Sequence, residues 1–147
     1  MRFVDTNVFI RLLTNDSPRK ADACERIFRN AIAKKETLFT TDLVIAEIVW
    51  VLESYYKLSK REVQDKVEKI LNTPNLICSR RDLILTALAL YGEKNIDYID
   101  AYNALIMRRE GIKQAYSYDT HYDRIDWVTR LEPSEGLEHP LGVGTVD

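Results

Sequence analysis

Asp5, Glu47, Asp100 and Asp119 are four carboxylates spread over most of the chain, each at the edge of, or embedded in, an apolar segment. An ionised carboxylate removed from water without a partner is strongly unfavourable, so such acids are normally paired, hydrogen-bonded or bound to a cation. Four of them brought together would repel one another unless a divalent metal neutralised them. As a group they have the chemistry of a shared metal site.

Taken singly, each acid has a plainer reading. Asp5 follows the β-prone run Arg2-Phe3-Val4 and precedes Thr6-Asn7, so it suits a turn residue capping the next helix as well as it suits a ligand at a strand end. Glu47 sits among Ala46, Ile48, Val49 and Trp50 in a helix that is apolar nearly all round, where an Arg or Lys from elsewhere could neutralise it. Asp100 lies in the first turn after Asp97, where the helix dipole favours an acid; Asn103 follows within a turn. Asp119 belongs to Ser117-Tyr118-Asp119-Thr120-His121-Tyr122-Asp123, which also reads as a polar turn. Their shared placement carries the metal reading, because ligand crevices in open α/β sheets form at the carboxyl ends of strands.

The elements that must position these residues alternate between short strands and helices. Ser17-Pro18 predicts a helix start, with Ala23, Ile27 and Ala31 at helical spacing to about residue 35. Leu38-Phe39-Thr40 is a short strand, after which Thr41 or Asp42 caps the helix carrying Glu47. Ser59-Lys60-Arg61-Glu62 fits a capping box, and that helix must end near Thr73-Pro74. Leu76-Ile77-Cys78 reads as a strand, Ser79 as the cap of a helix stopping at Gly92, and Asp97 as the cap of one ending at Gly111. Ala115-Tyr116-Ser117-Tyr118 is a strand running into Asp119, repeating the arrangement at Asp5. Parallel strands need helical crossovers, so the pattern predicts a parallel-sheet α/β domain with helices on both faces. From Glu132 on, Pro133, Gly136, Pro140, Gly142 and Gly144 break all periodicity, predicting an irregular acidic tail over residues 132–147.

With 147 residues and 46% hydrophobic content, the chain is one ordinary domain. No apolar run approaches the roughly 20 residues that span a bilayer, and the amino terminus lacks the charged and apolar regions of a signal peptide, which predicts a soluble cytoplasmic protein. Cys24 and Cys78 have no zinc-type spacing and read as buried thiols in a reducing compartment. A net charge of −2 gives no sign of nucleic-acid binding, but its distribution is uneven: residues 119–147 carry seven acidic and two basic residues, leaving the preceding part at +3. Paired basic residues at Arg19/Lys20, Lys34/Lys35, Lys60/Arg61, Arg80/Arg81 and Arg108/Arg109 fit either phosphate contacts or solvated helix faces.

The opening Asp5-Thr6-Asn7 segment, the helical Ala46-Glu47-Ile48 element, Asp100-Ala101-Tyr102-Asn103-Ala104 and Ser117-Tyr118-Asp119-Thr120-His121-Tyr122, in this order and spacing, resemble PIN-domain proteins of the VapC-like toxin ribonuclease group. The resemblance covers roughly residues 1–130, and the nuclease domain it implies residues 1–131. It implies a three-layer α/β/α sandwich with a central parallel sheet and a Mg²⁺- or Mn²⁺-dependent endoribonuclease site. It further implies that Asp5, Glu47, Asp100 and Asp119 form the acidic cluster, with Thr6, Asn7, Asn103 and Ser117 supporting it. Ser117 stands where a Thr is common, and Asn103 where the family often has another residue. An RNA substrate, an antitoxin partner that inserts a peptide near the site, and a homodimer built through helices are also implied, with Trp50, Tyr55 and Tyr56 candidates for that interface.

On this reading Asp5 and Asp100 are direct metal ligands, Asp119 binds the metal directly or through water, Glu47 orients or deprotonates the attacking water, and Thr6 and Asn7 support them. Asp97 is expected to cap its helix, Asp123 to lie on the loop surface, and His121 to be an exposed loop residue with no necessary role. Two other readings stand beside it. A phosphatase with an aspartyl nucleophile would need an acid at position 7, where this chain has Asn7. A non-catalytic PIN-like module would hold RNA or a protein without cleaving it.

Overall fold

The computed structural model describes residues 1–14 and 17–134. In chain order the elements are β1 (Arg2–Phe3), α1 (Thr6–Thr14), α2 (Pro18–Ile32), β2 (Leu38–Thr40), α3 (Asp42–Ser54), α4 (Lys60–Leu71), β3 (Leu76–Cys78), α5 (Arg81–Glu93), α6 (Tyr98–Arg109), β4 (Gln114–Tyr116), a 3₁₀ helix (Thr120–Arg124) and β5 (Thr129–Leu131). Every strand pairing is parallel, with Phe3 beside Phe39 and Phe39 beside Ile77 in the first ladder and Ala115 beside Arg130 in the second. Paired helices carry the chain from β1 to β2 and from β2 to β3, as parallel strands demand. The architecture is the expected α/β sandwich of helices around parallel strands. Among the described residues the ladders form two groups, β1-β2-β3 and β4-β5, rather than one continuous sheet.

The core joins the layers. Leu38 on the middle strand, Phe9 of α1, Ile45, Ile48 and Leu52 of α3, Val63 and Leu71 of α4, Ile84, Leu88 and Tyr91 of α5 and Ile125 are fully buried. Each such aliphatic side chain stabilises the fold by about 1.5–3 kcal/mol through water removal. Two helix starts follow the sequence closely. Thr41 accepts the Val44 N–H at 3.3 Å. At α4 the capping box is complete: Ser59 Oγ accepts the Glu62 N–H at 3.2 Å and Glu62 Oε2 accepts the Ser59 N–H at 2.8 Å.

Other expectations need correction. Ser79 does not cap α5: its N–H still bonds the Thr40 carbonyl, extending the ladder beyond β3, and its hydroxyl accepts the Asp42 N–H. The turn therefore falls one residue later, on Arg80, which holds a left-handed φ of 57°. Gly92 does not end α5, which runs to Glu93, with the left-handed residue at Asn95. A Cβ on Gly92 would stand 2.3 Å from Gln64 Nε2, so the glycine permits close packing against α4. Strand β5, at Thr129–Leu131, adds an element to the pattern expected from the sequence. Cys24 is half-buried, not buried, while Cys78 is buried and its thiol pushed up to about 11, mainly by that burial. Of the expected tail, residues 132–134 are irregular and 135–147 lie outside the described residues.

Candidate active site and metal centre

Asp100 begins the site. It occupies the first turn of α6 and is 8% exposed. Burial, followed by the neighbouring Asp119, raises its carboxyl from the ordinary range to about 6. Asp119, just after β4, is held below that range by its hydrogen bond with Asp100 and by the His121 backbone N–H, which reaches its Oδ1 at 2.9 Å. The Ser117 hydroxyl accepts the Asp119 N–H at 2.9 Å, fixing the turn that delivers the carboxylate. Asn103, one turn along α6 from Asp100, donates to the Tyr122 hydroxyl at 3.4 Å and so braces α6 against the 3₁₀ helix.

Two further residues join this pair. His121 Nδ1 lies 3.3 Å from Asp100 Oδ2 and 3.5 Å from both Asp97 Oδ2 and Asp119 Oδ1. Asp97, Asp100, Asp119 and His121 each offer one ligand atom, and these atoms all lie within 4.8 Å of one another. His121 is thus a half-buried member of the cluster and not the exposed bystander expected. Asp97 occupies the N-cap position of α6 but makes no side-chain cap bond; its carboxylate faces His121. Asp123 does lie on the surface, held by the Arg130 guanidinium at 3.0 and 3.1 Å. Spacing alone held a signal for both additions: Asp97 stands one helical turn before Asp100, and His121 two residues after Asp119.

The remaining predicted residues form a second group. The Asp5 carboxylate accepts the Thr6 N–H at 2.8 Å, the local turn bond of the plainer reading. Thr6 Oγ1, itself buried, donates to Glu47 Oε2 at 3.0 Å and links α1 to α3. Asp5, Thr6, Asn7 and Glu47 line one cavity of about 400 Å³. Asp5, Asn7 and Glu47 are exposed. The apolar ring around α3 therefore does not enclose Glu47, because Leu43 and Trp50 on the same helix are exposed too, at 78% and 67%. Asp5 and Glu47 also stand outside the 4.8 Å cluster. Asp5 follows the β1-β2-β3 ladder and Asp119 the β4-β5 ladder, and no ladder bond joins the two among the described residues.

Residues 2–128 match the model of the PIN domain. The chain belongs to the PIN domain family. It is 27% identical over 129 residues to a VapC ribonuclease of Aquifex aeolicus (strain VF5), covering 88% of this chain and 95% of that protein. It also resembles the crystal structure of Mycobacterium tuberculosis VapC20, a sarcin-ricin loop cleaving toxin, at 20% identity over 86% of this chain and 92% of that one; the TM-score of 0.39 is too low to carry an argument.

PIN domains of the resembled group use a divalent metal, and the donors of this PIN domain fit one. Carboxylate oxygens are the ligands hard cations prefer. His121 Nδ1 lies 3.3–3.5 Å from oxygens of Asp97, Asp100 and Asp119, so as a neutral imidazole it would add a nitrogen donor to three carboxylates. Such a set is mutually repulsive unless a positive charge lies within it.

Proposed function

We propose that this PIN domain is a metal-dependent endoribonuclease that hydrolyses RNA phosphodiester bonds in the cytoplasm as the toxin of a toxin–antitoxin pair. The observation that carries the proposal is the Asp97, Asp100, Asp119 and His121 cluster, with Asp100 buried and raised to about 6 beside Asp119. The likeness to a VapC ribonuclease over most of both chains supports the same reading.

A bound Mg²⁺ or Mn²⁺ supplies a lowered pKa for water and neutralises charge developing on the scissile phosphate. Asp100 and Asp119 would hold that cation, and Asp5, outside the close cluster, would join them from the end of β1. Glu47 takes up the proton of the attacking water or orients it, and the Thr6 hydroxyl fixes the Glu47 carboxylate for that task. Asn7, Asn103 and Ser117 support the loops and helix that carry these groups. Water, not the RNA 2′-hydroxyl, attacks, so the products carry a 5′-phosphate and a 3′-hydroxyl.

Two partners follow from this reading. An antitoxin peptide covers the acidic site. A second copy of the chain packs on the face where Leu43 and Trp50 of α3 and Ile99 of α6 stand exposed together, since contiguous apolar surface of this kind marks an interface. Domain limits of 1–131, with 132–147 as a separate tail, are part of the same proposal.

The direct test is cleavage of a mixed pool of structured RNAs by the purified protein and by Asp5→Asn, with Mg²⁺, Mn²⁺ or EDTA, followed by analysis of the new ends. Metal-dependent cuts with 5′-phosphates, absent in Asp5→Asn, are expected. A folded, metal-supplied protein free of inhibitor that leaves all RNA intact would favour a binding module.

A further inference from the structure

The cavity beside Glu47 does not end at the acidic residues. It continues past Asn7 to Arg11, Val51 and Tyr55. A second cavity of about 310 Å³ is lined by Asn7, Arg11, Lys20 and Cys24. Because Asn7 and Arg11 belong to both, the two form one groove that leaves the Asp5–Glu47 end along α1 and reaches α2.

The charges along this groove change sign. Asp5 and Glu47 occupy one end, while Arg11 and Lys20 stand along the remainder and pair with no described carboxylate. Arg2, Arg29, Arg80 and Arg130 have acidic partners among the described residues, whereas Arg11 and Lys20, like Lys34 and Lys35 of another cavity, have none. Tyr55, at the C-terminal end of α3, is 75% exposed and presents an aromatic ring on the groove wall. Cations that follow a backbone and an exposed ring that accepts a base are the two components of single-strand recognition. A base paired within a duplex could not lie flat on that ring.

We infer that this groove guides single-stranded RNA away from the cleavage site. Tyr55 stacks on a base at the Asp5–Glu47 end of the groove, Arg11 takes a phosphate at the middle, and Lys20 takes a phosphate further along. The inference rests on the nuclease reading above and adds the path of the substrate along α1 and the residues that hold it.

The test uses the full chain, loaded with Mg²⁺, and an end-labelled single-stranded RNA that the wild type cuts. Arg11→Ala, Lys20→Ala, Tyr55→Ala and Tyr55→Phe are compared with Lys69→Ala, an exposed lysine on α4 outside the groove. Arg11→Ala and Lys20→Ala are expected to raise KM by about tenfold with kcat little changed. Each should also flatten the slope of log kcat/KM against log salt by about 0.7, the share of one single-strand phosphate contact. Tyr55→Ala should raise KM by roughly tenfold without changing that slope, and Tyr55→Phe should restore it. Variants that cut with the KM and salt slope of Lys69→Ala would overturn the groove while leaving the nuclease intact. A wild type that neither binds nor cuts RNA would overturn both. Normal RNA cleavage combined with lost inhibition by a partner peptide would make the groove a peptide site and overturn the RNA path.

Discussion

The Thr6 hydroxyl donates to Oε2 of Glu47 at 3.0 Å across 41 residues of sequence, so the first residue of α1 sets the direction of a carboxylate on α3. Thr6 is buried and Glu47 is exposed; the bond anchors a mobile type of side chain to the rigid end of β1. Thr6→Val keeps the shape and removes the donor. Its expected effect is a kcat lowered about tenfold with KM nearly unchanged and a stability loss of about 1 kcal/mol. Thr6→Ser should recover most of the rate, which steady-state cleavage assays and thermal melts will check.

Burial first, and the neighbouring Asp119 second, disfavour the ionised form of Asp100 in the metal-free protein. Asp100→Asn removes one of the two charges from a buried position. At neutral pH the metal-free variant should melt at or above the wild-type temperature, yet its melting temperature should no longer rise when Mg²⁺ or Mn²⁺ is added. A differential scan with and without metal separates this from a folding defect, which would lower the melt in both conditions.

The pH response follows from the same pair. Folded Asp100 keeps its proton up to about 6, whereas unfolded it releases it near the ordinary value of 3.8. Between those values the folded state binds more protons, so this group's contribution makes the metal-free protein less stable as pH rises through the window. Asp119, held low, acts in the opposite sense: its contribution is present above the ordinary carboxylate range and is lost as pH falls through its lowered value. Metal binding needs both groups ionised, so Mn²⁺ affinity should climb through about pH 6 and then level off. Calorimetric titration from about pH 5 to about pH 8 reads this directly; a flat affinity across that range would contradict it.

Leu43, Trp50 and Ile99 stand exposed on the α3–α6 face. Trp50→Arg places a charge at its centre and should convert a dimer to a folded monomer, seen by sedimentation. A wild type that sediments as a monomer at high concentration would remove the second copy from the account.

Much of this was legible in the residues. The capping box at Ser59 and Glu62, the helix start at Pro18 and the strand-to-Asp pattern at Asp5 and Asp119 are local signals, and the structure holds them close to where spacing puts them. What was not legible depended on tertiary context. Apolar residues around α3 gave no sign of which of them would lack a neighbour, so Glu47 read as embedded in an apolar ring although it is exposed. The cap of α5 moved to Arg80 because ladder pairing of Ser79 with Thr40 outweighed a good local cap. His121 and Asp97 entered the cluster because the 3₁₀ helix folds back onto the start of α6, a contact that no periodicity encodes.

The central claim, hydrolysis of RNA at a metal held by the Asp100–Asp119 cluster, is tested most directly by one titration. Protein stripped with EDTA is mixed with a single-stranded RNA, and cleavage is followed as Mg²⁺ is returned, beside Asp100→Asn and Asp119→Asn. The account predicts no cleavage without metal, saturable recovery in the wild type, and at least about a hundredfold lower rate in both variants. Cleavage that persists in EDTA, or variants that recover as the wild type does, would contradict it.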